Sequence, residues 1–186
     1  MLNRGISNIC IVEQEKKINM IRLEKFEEAD YERLISWIDS EESMIVFSGK
    51  EFTYPVTTEQ LKKYASAENR LIYKVINAET NEVIGHAELN NIDTRNRNAR
   101  ICRVLIGDIK NRSKGFGKGI INELVRIGFA DLKLHRIDLG VFDFNHQAIK
   151  CYKNCGFEIE GKYKDISRFG GQYRSVYNMS ILNQEI

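Results

Sequence analysis

The sequence predicts an α/β fold of mixed α+β type with a mostly antiparallel central sheet, and three observations carry that expectation. Residues 71–107 hold three strand-like segments in succession, joined by short polar turns, which is the grammar of antiparallel pairing. The third of them, ending in the apolar run Ile101 to Gly107, passes through a glycine-rich loop into a helical stripe of Ile120, Ile121, Leu124, Val125, Ile127 and Phe129. The chain closes on two further strand-like segments flanking Gly170-Gly171.

Each element has its own reason. Met20 to Phe26 alternates apolar and polar residues, as a half-buried strand does. Between Glu27 and Ile38, Tyr31, Leu34, Ile35 and Ile38 recur at helical spacing. Residues 39–57 read as a polar-aromatic loop, and Thr58 as the cap of a helix reaching about Asn69. Strands follow at Leu71 to Ala78, Val83 to Ile92 and Arg97 to Gly107, then the helix from Gly115 and a strand from Arg136 to Phe142. Asn145 fits the N-cap of a helix through Asn154, with Gly156 as its stop. Phe157 to Ile166 and Gln172 to Leu182 form the final antiparallel pair.

With 186 residues and 42% hydrophobic content, the chain has material for one core. Residues 1–19 read as an extension and 20–186 as a single domain. A net charge of +2 argues against a nucleic-acid-binding polycation, and no apolar run is long enough to span a bilayer. Cys10, Cys102, Cys151 and Cys155 complete no zinc pattern, so no metal is expected, and reduced thiols in the cytoplasm are the expectation. A homodimer is left open.

The stretch Arg112-Ser113-Lys114-Gly115-Phe116-Gly117-Lys118-Gly119 carries the chemistry. Glycines let backbone approach a bulky anion, and a helix start adds unpaired N–H groups and the positive end of the macrodipole. A phosphate-bearing ligand follows. A Walker loop is excluded because Gly119, not Ser or Thr, follows Lys118, and Gly115-x-Gly117-x-Gly119 is not the dinucleotide fingerprint.

The pattern Arg112-x-x-Gly115-x-Gly117 resembles the pyrophosphate-binding signature of the GNAT N-acetyltransferase superfamily. Residues 145–157 resemble its next motif, with Asn145, Ala148, Tyr152, Gly156 and Phe157 in the matching places, and residues 20–30 are similar to the branch of ribosomal-protein and spermidine acetyltransferases. The resemblance implies a sheet splayed in the middle, between the strand ending near Gly107 and the strand near Leu139. It implies acetyl-coenzyme A as co-substrate, held by the loop from Arg112 to Gly119, by Asn145, and by the backbone of Arg103, Val104, Leu105 and Ile106 pairing with the pantetheine arm. The reaction implied is direct attack of a primary amine on the thioester, with Tyr152 as general acid. A non-catalytic acetyl-coenzyme A binding module is the alternative.

Glu88 lies mid-strand between Ala87 and Leu89, and strand alternation can turn it into the cleft as the base. A paired structural glutamate is the competing reading, and His86, on the same face, is a lesser candidate base. The acceptor is open between a peptide N-terminus, a polyamine and another small amine. Asp39, Glu41 and Glu42 beside Trp37 would draw a cation, whereas Lys162, Lys164, Arg168 and Arg174 would draw an anion.

Overall fold

A computed structural model describes residues 20–184; the extension expected over residues 1–19 lies outside the described residues. Seven strands form one sheet in the spatial order β1-β2-β3-β4-β5-β7-β6. They are β1 (Ile21–Lys25), β2 (Leu71–Asn77), β3 (Val83–Asp93), β4 (Asn98–Ile106), β5 (Arg136–Phe142), β6 (Glu158–Phe169) and β7 (Gln172–Leu182). Every pairing is antiparallel except β4 with β5. Among the described residues, no helix is long and apolar enough to cross a membrane.

That single parallel pairing is short. It joins Asn98–Ile101 to Arg136–Leu139 and stops at Ile101↔Leu139. Beyond it β4 stays paired to β3 and β5 to β7, so the sheet splits where the resemblance implied. The split leaves the β5-facing edge of β4 from Cys102 to Ile106 without a strand partner among the described residues.

Helices cover the two faces unequally. The helix α4 (Phe116–Arg126) continues into a π turn at Ile127–Asp131 and packs one face. Its Ile120, Ile121 and Leu124 are buried against Val75, Ala87, Leu89, Ala99, Ile101, Ile137 and Leu139. This is the amphipathic stripe read from the sequence, and burying each such side chain contributes about 1.5–3 kcal/mol. On the opposite face of the first half lie α1 (Tyr31–Ser36), α2 (Glu41–Ser48) and α3 (Thr58–Ala65). They enclose a second core around Leu34, Met44, Phe52, Leu61 and Tyr64. The last helix, α5 (His146–Lys153), begins at Asn145, whose side chain accepts from the Ala148 N–H as expected of its cap.

Two local expectations are corrected. Residues 39–57 are not wholly loop, because α2 lies within them. Its start is fixed by a capping box in which the Ser40 and Ser43 side chains reciprocally accept from each other's backbone N–H. The cap of α3 is Thr57 rather than Thr58, since the Thr57 hydroxyl accepts from the Gln60 N–H. Gly107 sets how closely the helical layer meets β4: a Cβ there would fall 2.1 Å from the Trp37 ring. Only a glycine admits that indole, and the indole in turn holds the segment leading into α2 beside the end of β4.

Candidate active site

The split sheet opens a cleft of about 980 Å³. One wall is the free edge of β4, and the opposite wall is β5 with α5. The start of α4 closes one end, and α2 overhangs the β4 side. Arg103, Val104, Leu105, Ile106, Arg112, Ser113, Gly115, Gly117, Lys118, Asn145 and Tyr152, which the sequence reading assigned to the co-substrate or to catalysis, all line it.

The loop offers backbone donors and open space at the cleft end. Gly115 takes φ +88 at the start of α4, a left-handed conformation that glycine adopts without a Cβ clash, and offers no side chain to cap the helix. The first N–H groups of α4 therefore remain as donors at the cleft end. A Cβ on Gly117 would meet only the Cys151 sulfur, at 3.8 Å, so the space before this residue is open. Arg112 clips the loop to the end of β4, donating from Nε to the Ile106 carbonyl at 3.3 Å and from a terminal nitrogen to the Gly107 carbonyl at 3.4 Å. The Gln147 amide donates to the Ser113 hydroxyl at 3.2 Å and ties the loop to α5.

Three expected contacts point elsewhere. Phe116 is buried in the main core, so only its backbone belongs to the helix start. A Cβ on Gly119 would lie 3.4 Å from Ile21, which makes this glycine a packing residue under β1. Lys114 does not line the cleft. Phe116 and Gly119 stand three residues apart on α4 and share its core-facing side, whereas Lys114 precedes the helix.

Tyr152 stands on the cleft face of α5, its ring 6.3 Å from Phe157. No described residue lies in hydrogen-bond reach of its hydroxyl. Burial, followed by the neighbouring Cys151, Cys155 and Cys102, pushes its pKa up to about 12. At neutral pH it is a protonated donor with a free valence facing the cleft.

Glu88 is placed differently from the base expected of it. It is fully buried and does not line the cleft. Arg103 donates to both carboxylate oxygens, from Nε to Oε2 and from a terminal nitrogen to Oε1 at 2.8 Å. The Tyr64 hydroxyl donates to Oε2 at 2.6 Å, and Arg70 approaches Oε1 at 3.5 Å. These donors use up the lone pairs with which a carboxylate would take a substrate proton. The alternation argument had the face right but the cover wrong, because α3 sits over that face and brings Tyr64 down onto it.

Arg103 is reached through a bulge. Glu88 pairs with Cys102 and His86 with Leu105, so Arg103 and Val104 together oppose Ala87. Arg103 sits at φ +50, an uncommon conformation for a side-chain-bearing residue. Its buried guanidinium also pairs with Glu51 at 3.3 Å and lies over the Tyr64 ring at 5.1 Å. The Arg103 side chain is thus engaged in a buried cluster, beside the backbone role on which the expectation laid more weight. The signal in the sequence was a lone arginine in an apolar strand run. Its partners Glu51 and Tyr64 lie far away in sequence, as does Arg70, which shares Glu51 and Glu88 with it, and no motif marked them.

His86 is also withdrawn as a base. Its Nε2 lies 3.0 Å from the Tyr64 hydroxyl oxygen, and since that hydroxyl donates to Glu88, Nε2 carries the proton and donates to Tyr64. Its Nδ1 is then a bare, buried acceptor without a partner among the described residues. Burial first and the Arg103 charge second lower its pKa to about 3. The native state thus binds fewer protons than the unfolded chain between pH about 6.5 and about 3. Stability is expected to fall with decreasing pH from about 6.5, by up to about 1.4 kcal/mol per pH unit from this one group. Urea midpoints across pH 7 to 5, above most carboxylate titration, check this. His86→Gln should start less stable and show a flatter profile, and an identical slope in the two proteins would contradict it.

Residues 23–176 match the sequence model of the acetyltransferase (GNAT) domain. Over 113 residues the chain is 34% identical to the uncharacterized N-acetyltransferase p20 of Bacillus licheniformis, covering 61% of this chain and 62% of that protein. Over 120 residues it is 33% identical to the spermidine N(1)-acetyltransferase of Vibrio cholerae serotype O1, covering 64% of this chain and 66% of that protein. The matched stretch thus spans a little under two thirds of either relative. Among solved structures, the Vibrio cholerae spermidine N-acetyltransferase in complex with CoA and spermine superposes with a TM-score of 0.75 and 27% identity, over 88% of this chain and 95% of that one.

Proposed function

Because this chain belongs to the GNAT acetyltransferase family, we propose that it transfers an acetyl group from acetyl-coenzyme A to the primary amine of a small cationic acceptor, a polyamine foremost. The observation that carries the reading is the unpartnered, protonated Tyr152 hydroxyl in a cleft whose other wall is the unpaired edge of β4. The pyrophosphate is held by the start of α4 and Lys118, and the pantetheine amides pair with the edge of β4. The amine attacks the thioester carbonyl directly, and Tyr152 gives its proton to the departing thiolate, whose conjugate acid has a pKa of about 8.5. Glu42 is the one carboxylate among the described residues lining the cleft, so the amine's proton leaves to water in the open cleft with Glu42 as the nearby negative charge. The reaction uses no metal.

The acceptor class rests on the two charged clusters. Glu42 of the acidic cluster sits on the cleft lining. None of the basic cluster lines the cleft: Lys162 pairs with Asp143 at 2.8 Å, Arg168 lies over Tyr173, Arg174 lies over Phe144 and Phe169, and Lys164 is likewise outside the lining. A cationic acceptor fits this balance, as does the likeness to a spermidine acetyltransferase. The cytoplasm, as the compartment supplying acetyl-coenzyme A, belongs to the same reading. So does a homodimer, for which the outer strand β6 with exposed Ile159, Tyr163 and Ile166 is the candidate surface.

The test is thiol release from acetyl-coenzyme A with spermidine, short diamines, amino acids and peptides of either charge. Spermidine is expected to turn over fastest and acidic peptides slowest. Coenzyme A binding without thiol release from any amine would favour the binding-module reading instead, which the loss of Glu88 as a base makes worth separating. For the co-substrate site, Gly117→Trp is expected to abolish coenzyme A binding while leaving the fold intact, since the space before Gly117 is open cleft rather than core. Calorimetric titration checks it, and unchanged affinity in the folded variant would remove the loop from the site.

A further inference from the structure

Cys151 and Cys155 stand one turn apart where α5 ends, and the proposed chemistry uses neither. Cys151 lines the cleft, and its sulfur lies 3.8 Å from the position a Gly117 Cβ would take. The Cys155 sulfur in turn lies 4.0 Å from the Lys118 carbonyl oxygen. Two thiols and a lysine therefore meet the start of α4 where the pyrophosphate is proposed to sit. Both cysteines are partly exposed and free.

We propose that Cys151 is a thiol-modification site: a low-molecular-weight disulfide exchanges onto its sulfur, and the mixed disulfide excludes acetyl-coenzyme A. The Cys151 thiol loses its proton to solvent, and its thiolate attacks one sulfur of the disulfide R–S–S–R. A new S–S bond to Cys151 forms as the old one breaks, and R–S⁻ leaves to take up a proton from water. The exclusion is steric. Between Cys151 and Gly117 there is room for little more than a methyl group, so any adduct must project across the helix start into the cleft.

Electrostatics favours Cys151 over the other described thiols. The adjacent Cys155 first and the Lys118 charge second lower its pKa to about 7 against the opposing effect of burial, and of the pair Cys151 is the one that lines the cleft. An attacking thiol is most effective when its pKa is near the ambient pH. Cys155 is pushed up by the adjacent Cys151 and by burial, and burial pushes Cys102 up as well.

The exclusion half rests on the co-substrate reading above, so the test reads reactivity and binding separately. The protein is treated with oxidised glutathione at neutral pH, with and without saturating coenzyme A. The adducts are mapped by mass spectrometry of tryptic peptides. Trypsin cuts after Lys150 and Lys153, which puts Cys151 and Cys155 on different peptides, and Cys10 and Cys102 on others. Cys151 is expected to be glutathionylated before Cys102 and Cys155, and coenzyme A should protect it. The treated protein should lose coenzyme A binding in a calorimetric titration and regain it with dithiothreitol. Cys155→Ala, which removes the neighbouring thiol altogether, should react more slowly at Cys151. Treated Cys151→Ser should bind coenzyme A as its own untreated form does. Modification of Cys102 or Cys155 ahead of Cys151, or full coenzyme A affinity in protein modified at Cys151, would overturn the proposal. Absence of coenzyme A binding in untreated protein would instead overturn the co-substrate reading, and the exclusion half with it.

Discussion

Tyr152→Phe is expected to lower turnover by about 100- to 10,000-fold, the usual contribution of a positioned general acid or base. Coenzyme A affinity should barely change. The substitution removes one hydroxyl that makes no hydrogen bond to a described residue, and it keeps the ring against Phe157. Stability should hold for the same reason. The pH profile adds a second readout. A polyamine or lysine-like amine loses its proton near pH 10, an α-amino group near 8, so the rate should climb through that range. Tyr152, held up at about 12, stays protonated throughout and imposes no falling limb there. Single-turnover rates at several pH values make the comparison. Wild-type turnover in the variant, when chemistry limits the rate, would leave Tyr152 as a packing residue.

Glu88→Gln is expected to act first on stability. The side chain is fully buried and Arg103 nearly so, and removing one partner of such a pair leaves an uncompensated charge, a loss of about 3–5 kcal/mol. Arg103→Met should destabilise to a similar extent, and the double variant should regain part of the loss because no charge is then stranded. Urea denaturation of the four proteins measures this cycle. The loss should also carry into catalysis indirectly, since Arg103 occupies the bulge from which the free edge of β4 begins. A Glu88→Gln protein as stable as wild type, yet slower by a hundredfold and altered in its pH–rate profile, would return Glu88 to the role of base.

Most of the strands and helices could be read from the chain because their determinants are local. The stripe from Ile120 to Phe129, the alternation in β1 and the Asn145 cap each announce themselves within a dozen residues. The missed helix α2 shows the limit. Met44-Ile45-Val46-Phe47 is a continuous apolar run, with Met44 buried in the second core, Phe47 lining the cleft and Val46 exposed. A helix that serves a core and a cleft at once shows no single stripe.

The sequence by itself determined the order of elements and the glycine-rich turn that opens α4, because each depends on spacing within one segment, while the place of Tyr152 on its helix was what the motif resemblance implied. Tertiary structure alone decided the fate of Glu88 and His86. Strand alternation names the face a side chain takes, but only packing names what covers that face. Here α3 covers it, and Tyr64, Arg70 and Arg103 arrive from three separate segments to turn an apparent base into a buried anchor. Charge balance in a buried cluster depends on every partner present, and partners distant in the chain leave no periodic trace in it.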